Sequence, residues 1–171
     1  MSKALQRYCL DANVLIQGWQ KYYSPKLCPS YWEVLNELGE DNRIFIPKMV
    51  AIEIEKTEDD LKDWLKACSI PIIEIDGAVT NCLTQIYASN DLHKFLVDST
   101  KQRSIADPWV IAHAMNENAC VVTKEEKVTS STTKIKIPNV CENMNVRCIH
   151  DFQFIEEIGM LIYHHCFFIK F

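Results

Sequence analysis

The chain has 171 residues, 48% of them hydrophobic, and a formal net charge of -5, which fits one domain able to bury about two-thirds of its unfolded surface and argues against a generic basic nucleic-acid binder. Its eight cysteines form neither a CxxC pair nor a regular framework, so they read as small buried hydrophobes in a reducing compartment. The longest apolar stretch, "MLIYHHCFFIKF" at 160–171, is interrupted by two histidines and falls short of the ~20 apolar residues a bilayer span needs, so the expectation is a cytoplasmic protein with no membrane segment.

In chain order, "YCLDANVLI" (Tyr8 to Ile16) reads as a buried strand entering a turn and a helix, with Asp11 at the junction. Ser30 precedes a helical "YWEVLNEL"; "RIFIP" is a second strand, followed by a short helix "KMVAIEIEK" that carries Glu53. Thr57, with Asp60 three positions on, is a start signal for the helix in "EDDLKDWLKAC", and "PIIEI" is a third strand. Asp107-Pro108 opens the helix "WVIAHAMNEN", "ACVVT" is a fourth strand leading to Glu125 and Glu126, and "VRCIH" is a fifth. Between the last two lies "KVTSSTTKIKIP" (Lys127 to Pro138), hydroxyl-rich, basic and free of acids, which reads as a loop. Short apolar runs alternating with helices specify a single α/β domain over 1–171, a three-layer α/β/α arrangement around a mainly parallel sheet of four or five strands.

Ligands of an open parallel sheet collect beyond the carboxyl ends of its strands, where the strand order reverses. Asp11 and Glu125 follow strands there, and Asp107 begins a helix, so a sheet with its first and fourth strands adjacent would bring them together. Each acid has an ordinary alternative. Asp11 could cap its helix, a role worth about 1 kcal/mol, and Asp107 before proline is a better cap still. Glu53 lies in a charged stretch but among Val50, Ile52 and Ile54, whereas Glu55 has polar neighbours; Glu125 and Glu126 could merely solubilise a loop.

The four acids in this order, with these surroundings, resemble a PIN-domain nuclease of the VapC-like toxin kind. The resemblance rests on "YCLDANVLI", "IPKMVAIEIEK", "SIADPWVIAHAM" and "CVVTKE". More narrowly, "DANVLI", "YYSPKLCPSYWEVL", "ADPWVIA" and "KIKIPNVC" resemble an uncharacterised prokaryotic PIN branch, over about residues 8–159. Carried over by position, the resemblance implies Asp11, Glu53, Asp107 and Glu125 as catalytic acids and metal ligands. Many PIN proteins have aspartate in the fourth place, so Glu126 is an alternative to Glu125. The tail 160–171 has no counterpart in the pattern.

That resemblance implies a metal-dependent endoribonuclease, the toxin of a toxin–antitoxin pair, cutting single-stranded or looped RNA. The chemistry suits the residues. Stabilising an in-line phosphodiester transition state and activating water is work for divalent ions, and Mg²⁺ or Mn²⁺ takes oxygen ligands. Four crowded carboxylates would repel one another without a cation, and two divalent ions would bring the net charge from -5 to -1. Candidate phosphate contacts are Arg103, Lys124, Lys127, Lys134 and Lys136. Thr123 and Asn13 are candidates for holding the acids or a bound water from behind. The implied partners are RNA, an antitoxin protein and a second copy of the chain. The aromatic run Trp19 to Trp32 is a candidate antitoxin surface, or else packs helices or a homodimer.

Other readings are a housekeeping RNA-processing nuclease, a degenerate PIN domain that only binds, and a haloacid-dehalogenase-like phosphatase with Asp11 as nucleophile. For the last, the acid expected two positions on is Asn13. With four glycines, none clustered, a phosphate-cradling nucleotide loop is ruled out.

Overall fold

The computed structural model describes residues 5–97, 104–129 and 135–160. Five strands, β1 (Tyr8–Leu10), β2 (Ile44–Pro47), β3 (Ile72–Ile73), β4 (Cys120–Thr123) and β5 (Cys148–His150), form one sheet in the order β3-β2-β1-β4-β5 with every neighbouring pair parallel. Each lies within a run that the sequence marks as a strand. β1, β2 and β4 are buried throughout, which is why they read as continuous apolar runs without alternation. The edge strand β3 is two residues long, a short edge that offers little template for pairing with another chain.

Helices α1 (Ala12–Gln17), α2 (Pro29–Glu40), α3 (Lys48–Glu55), α4 (Leu61–Ala67), α5 (Gly77–Ser89), α6 (Asp107–Glu117), α7 (Ile137–Asn143) and α8 (Asp151–Glu157) surround the sheet. The two faces of β1 show the layering. Cys9 turns towards α6, where its thiol donates to the Val110 carbonyl at 3.5 Å. Tyr8 turns the other way and meets Phe154 of α8 edge-on, with ring centroids 5.0 Å apart. The three-layer α/β/α expectation therefore holds.

Two helix starts depart from the sequence reading. Thr57 does not open α4; its hydroxyl donates to the Ile54 carbonyl at 2.8 Å and to Asp59 Oδ1 at 3.1 Å, closing α3 instead, and Asp59 Oδ1 then accepts the Leu61 amide at 3.2 Å where α4 begins. α2 starts one residue before Ser30, at Pro29, whose fixed φ suits a first helical position. At its far end the backbone of Ser69 and Ile70 comes so close to Gly39 that a Cβ there would stand 2.8 Å from it. The Asn36 side chain accepts the Ser69 amide at 2.8 Å, fastening the approach to β3 against α2.

The aromatic run beyond β1 is mostly interior. Trp19 and Trp64 each meet Trp32 edge-on at 4.8 Å, and Tyr23 stacks on Tyr31 at 4.3 Å. The packing reading thus holds for these residues, and of the run's aromatics only Tyr22 is mostly exposed. The seven described cysteines are free thiols. Among the described residues no helix is long and apolar enough to cross a membrane. The tail from residue 161 onward, with His164 and His165, lies outside the described residues.

Candidate active site

β1 is the strand at which the chain order reverses: β2 pairs with one edge of it and β4 with the other, Leu10 standing beside Val122. The crevice between the carboxyl ends of β1 and β4 is therefore where a ligand site belongs. Asp11 leaves β1 there, its amide donating to the Val122 carbonyl at 3.0 Å. It occupies the N-cap position of α1, but its side chain makes no capping hydrogen bond. Instead Oδ2 accepts from the Thr123 hydroxyl at 2.8 Å. Asp107 does not cap either. Ala106 is the N-cap, and Asp107 is the first residue of α6. The helix-capping account fails for both aspartates, which are buried.

Their electrostatics describe a cluster. Burial pushes the Asp11 carboxyl up to about 7, the Thr123 hydrogen bond opposing this and the charges of Glu125 and Glu53 adding to it. Burial likewise raises Asp107, to about 9, with the Asp11 charge next in weight, then Glu125, while the Ser104 hydroxyl opposes and Glu53 adds a little. Glu53 is itself raised by burial. Asp11 and Asp107 thus feel each other and both glutamates, and the fourth acid they feel is Glu125, whereas Glu126 is exposed. Likewise half-buried Glu53 faces them and exposed Glu55 does not.

Thr123 is the hub behind the cluster. Besides donating to Asp11, its hydroxyl accepts from Asn13 Nδ2 at 3.3 Å and from the Glu125 amide at 3.1 Å. Asn13 Oδ1 in turn accepts the Lys124 amide at 2.9 Å. Asn13 therefore reaches Asp11 through Thr123. Glu125 is held from the other side: Oε2 accepts the Ile137 amide at the start of α7 at 3.0 Å, and Oε1 lies 3.9 Å from Lys136 Nζ.

The basic candidates fare unequally. Lys136 stands beside Glu125, and Lys127 pairs with Glu142 at 2.5 Å. Lys124 departs from the expected role of a free phosphate contact. Its ammonium forms an ion pair with Asp151 in which the two side chains are 6% and 0% exposed, so the charge is turned inward and already neutralised. Arg103 and Lys134 lie outside the described residues. Sequence reasoning missed Asp151 and Ser104. A hydroxyl three positions before Asp107 was the available signal for Ser104, which has a left-handed backbone with φ 60.

Hard carboxylate oxygens that raise one another's pKa are a donor set that fits Mg²⁺ or Mn²⁺, because a cation would relieve the repulsion that burial creates. Among the described residues no three acidic, histidine or cysteine side chains stand close enough to hold one ion together as they are.

A parallel sheet with Asp11 and Asp107 gathered at the reversal of strand order defines a PIN-like α/β/α domain. Two solved structures share the fold. VapBC2 from Rickettsia felis, crystallised bound to a DNA fragment from their promoter, has a TM-score of 0.56 at 18% identity, covering 85% of this chain and 98% of that one. FitAcB from Neisseria gonorrhoeae has a TM-score of 0.51 at 15% identity with the same coverage. The chain belongs to the family described as "Domain of unknown function (DUF4411)", which matches residues 8–162. No curated protein sequence matches it.

Proposed function

We propose that this chain is a metal-dependent endoribonuclease, the toxin of a toxin–antitoxin pair. The observation that carries the reading is the pairing of two buried aspartates, Asp11 at the carboxyl end of β1 and Asp107 at the start of α6, each raised by burial and by the acids around it. Keeping two such carboxyls in a crevice costs stability unless a cation joins them, and the fold offers them no capping role in exchange.

In this reading Asp11 and Asp107 are the principal holders of Mg²⁺ or Mn²⁺, and Glu53 and Glu125 position a second ion or the attacking water. The bound ion stabilises charge on the transferring phosphate and makes water a competent nucleophile near neutrality. Thr123 fixes the Asp11 carboxylate so that one oxygen stays free for the crevice. Lys136, beside Glu125, presents positive charge to the RNA backbone. The toxin assignment is supported by likeness to two complexes, VapBC2 and FitAcB, and an antitoxin partner would cover the acidic crevice. A second copy of the chain is a further partner.

The test is RNA cleavage by purified protein with Mg²⁺ or Mn²⁺, followed by sequencing of the new ends, beside Asp11→Asn and Asp107→Asn. Loss of cleavage by orders of magnitude in folded variants and in EDTA is the expected result, and full activity in any of these overturns the reading. Harmless expression of an active, metal-binding enzyme would replace the toxin role with housekeeping RNA processing.

A further inference from the structure

Two exposed aromatic rings and half-buried His150 gather around Lys124, the residue between Thr123 and Glu125. Tyr22, just beyond α1, and Phe152, in the first turn of α8, are 54% and 57% exposed. His150, at the end of β5, stacks on Phe152 with ring centroids 5.5 Å apart and planes 23° from parallel. Beneath them sits the Lys124 ammonium, 4.2 Å from the Tyr22 centroid and 5.6 Å from that of Phe152. The same ammonium is clamped by fully buried Asp151, whose other oxygen is 2.6 Å from His150 Nδ1. The rings thus share contact with one buried ion pair, with Tyr22 and Phe152 half in water.

Shielding the ion pair and stacking with His150 account for part of these ring surfaces, and leave the exposed remainder of Tyr22 and of the His150–Phe152 stack without a role. Aliphatic side chains would shield equally well. A cation against one face of an aromatic ring draws on its electron density, which leaves the ring better suited to stack on an electron-rich base. The rings are also tied to the site by the chain itself. Lys124 stands between Thr123, which holds Asp11, and Glu125, and its amide is bound by Asn13.

We infer that Tyr22, Phe152 and His150 form a stacking platform for an unpaired base of the nucleic-acid substrate, holding the strand so that its backbone lies along the Asp11–Asp107 crevice. This deepens the ribonuclease reading and rests on it for the substrate, while making a separate claim about how the strand is held. A paired base keeps both faces inside its helix, so the platform selects single-stranded or looped segments. Lys124 serves as the fixed cation under the platform, which is the role the sequence alone does not reveal.

The experiment measures fluorescence anisotropy of a labelled oligoadenylate, and of the same strand annealed to its complement, with full-length protein carrying Asp107→Asn to block cleavage, in Mg²⁺. Phe152→Ala and Tyr22→Ala should each weaken single-strand binding roughly tenfold, the loss of one stacked base, while Phe152→Tyr restores it and duplex binding, weaker from the start, does not change. In the active background the alanine variants should raise KM for RNA with kcat nearly kept. Unchanged single-strand affinity in folded alanine variants overturns the platform, as does an equal loss for duplex, or loss only of binding to a copurifying protein. If the variants lose single-strand binding but the wild type cleaves no RNA, the platform stands and the nuclease reading falls. If RNA is cleaved with the same KM by all, the nuclease reading stands and the platform falls.

Discussion

Asp11 and Thr123 are 112 positions apart in sequence and joined by a hydrogen bond of 2.8 Å, the threonine hydroxyl donating to the carboxylate. The contact exists because β1 and β4 are parallel neighbours with Leu10 beside Val122, so that the residues following these two, Asp11 and Thr123, land at the same level. We expect Thr123→Val to weaken Mg²⁺ or Mn²⁺ binding by roughly tenfold to a hundredfold, as loss of a supporting hydrogen bond to a ligand commonly does. Thr123→Ser should recover most of that affinity. Isothermal titration with Mn²⁺ measures both, and equal affinities for valine and serine would refute the supporting role.

Stability of the metal-free protein should fall as pH rises. Asp11 and Asp107 are raised in the folded state, to about 7 and about 9, so between the ordinary carboxylate range and those values the folded chain holds protons that the unfolded chain releases. Stability then decreases with pH across that window. The loss should run progressively from about pH 4 to about pH 9, the window these two groups span between the unfolded and the folded state. Urea unfolding in EDTA across this range checks it. Asp107→Asn should flatten the slope, and added Mn²⁺ should oppose it, because the cation replaces the protons.

The Lys124–Asp151 pair is a buried charge pair, and removing one member strands the other. Asp151→Leu and Lys124→Met should each destabilise by about 3–5 kcal/mol, while the double variant Lys124→Met with Asp151→Leu should cost much less than the sum. Chemical denaturation of the four proteins forms the cycle. Additive losses would mean that the pair is energetically uncoupled.

Gly39→Ala should destabilise by about 1–3 kcal/mol, the usual cost of overpacking a rigid contact, because the added carbon meets backbone of Ser69 and Ile70 at 2.8 Å and backbone cannot swing aside. Since this contact fastens the segment leading into β3, metal affinity at the distant crevice should be unchanged. A thermal melt together with Mn²⁺ titration separates the two effects.

The strands were legible because burial on both faces leaves an unbroken apolar run, as in "IFIP" and "CVVT". Of the candidate acids only Asp11 directly follows such a run; Glu53 within α3 and Asp107 at the start of α6 were singled out by the family resemblance. Charges whose partners come from distant segments were not legible. Nothing in "TKE" says that Lys124 turns inward, since Asp151 arrives from 27 residues further on and only the β4–β5 pairing brings it near. Thr57 misleads for the opposite reason. Its hydroxyl is satisfied locally by the helix it follows, a competition between neighbouring backbone groups that spacing alone does not decide.

The strand order also sets when the site comes into being. Because the central strand β1 must wait for β4, more than a hundred residues later in synthesis, to supply the other wall of the crevice and the hydroxyl that holds Asp11, the emerging chain carries no assembled acid cluster until β4 has been made. Contacts this distant in sequence form late and slowly. A chain interrupted just before β4 would contain Asp11, Glu53, Asp107 and a partial sheet, yet no crevice, so the arrangement of these acids depends on β4 pairing with β1 and not on their presence alone.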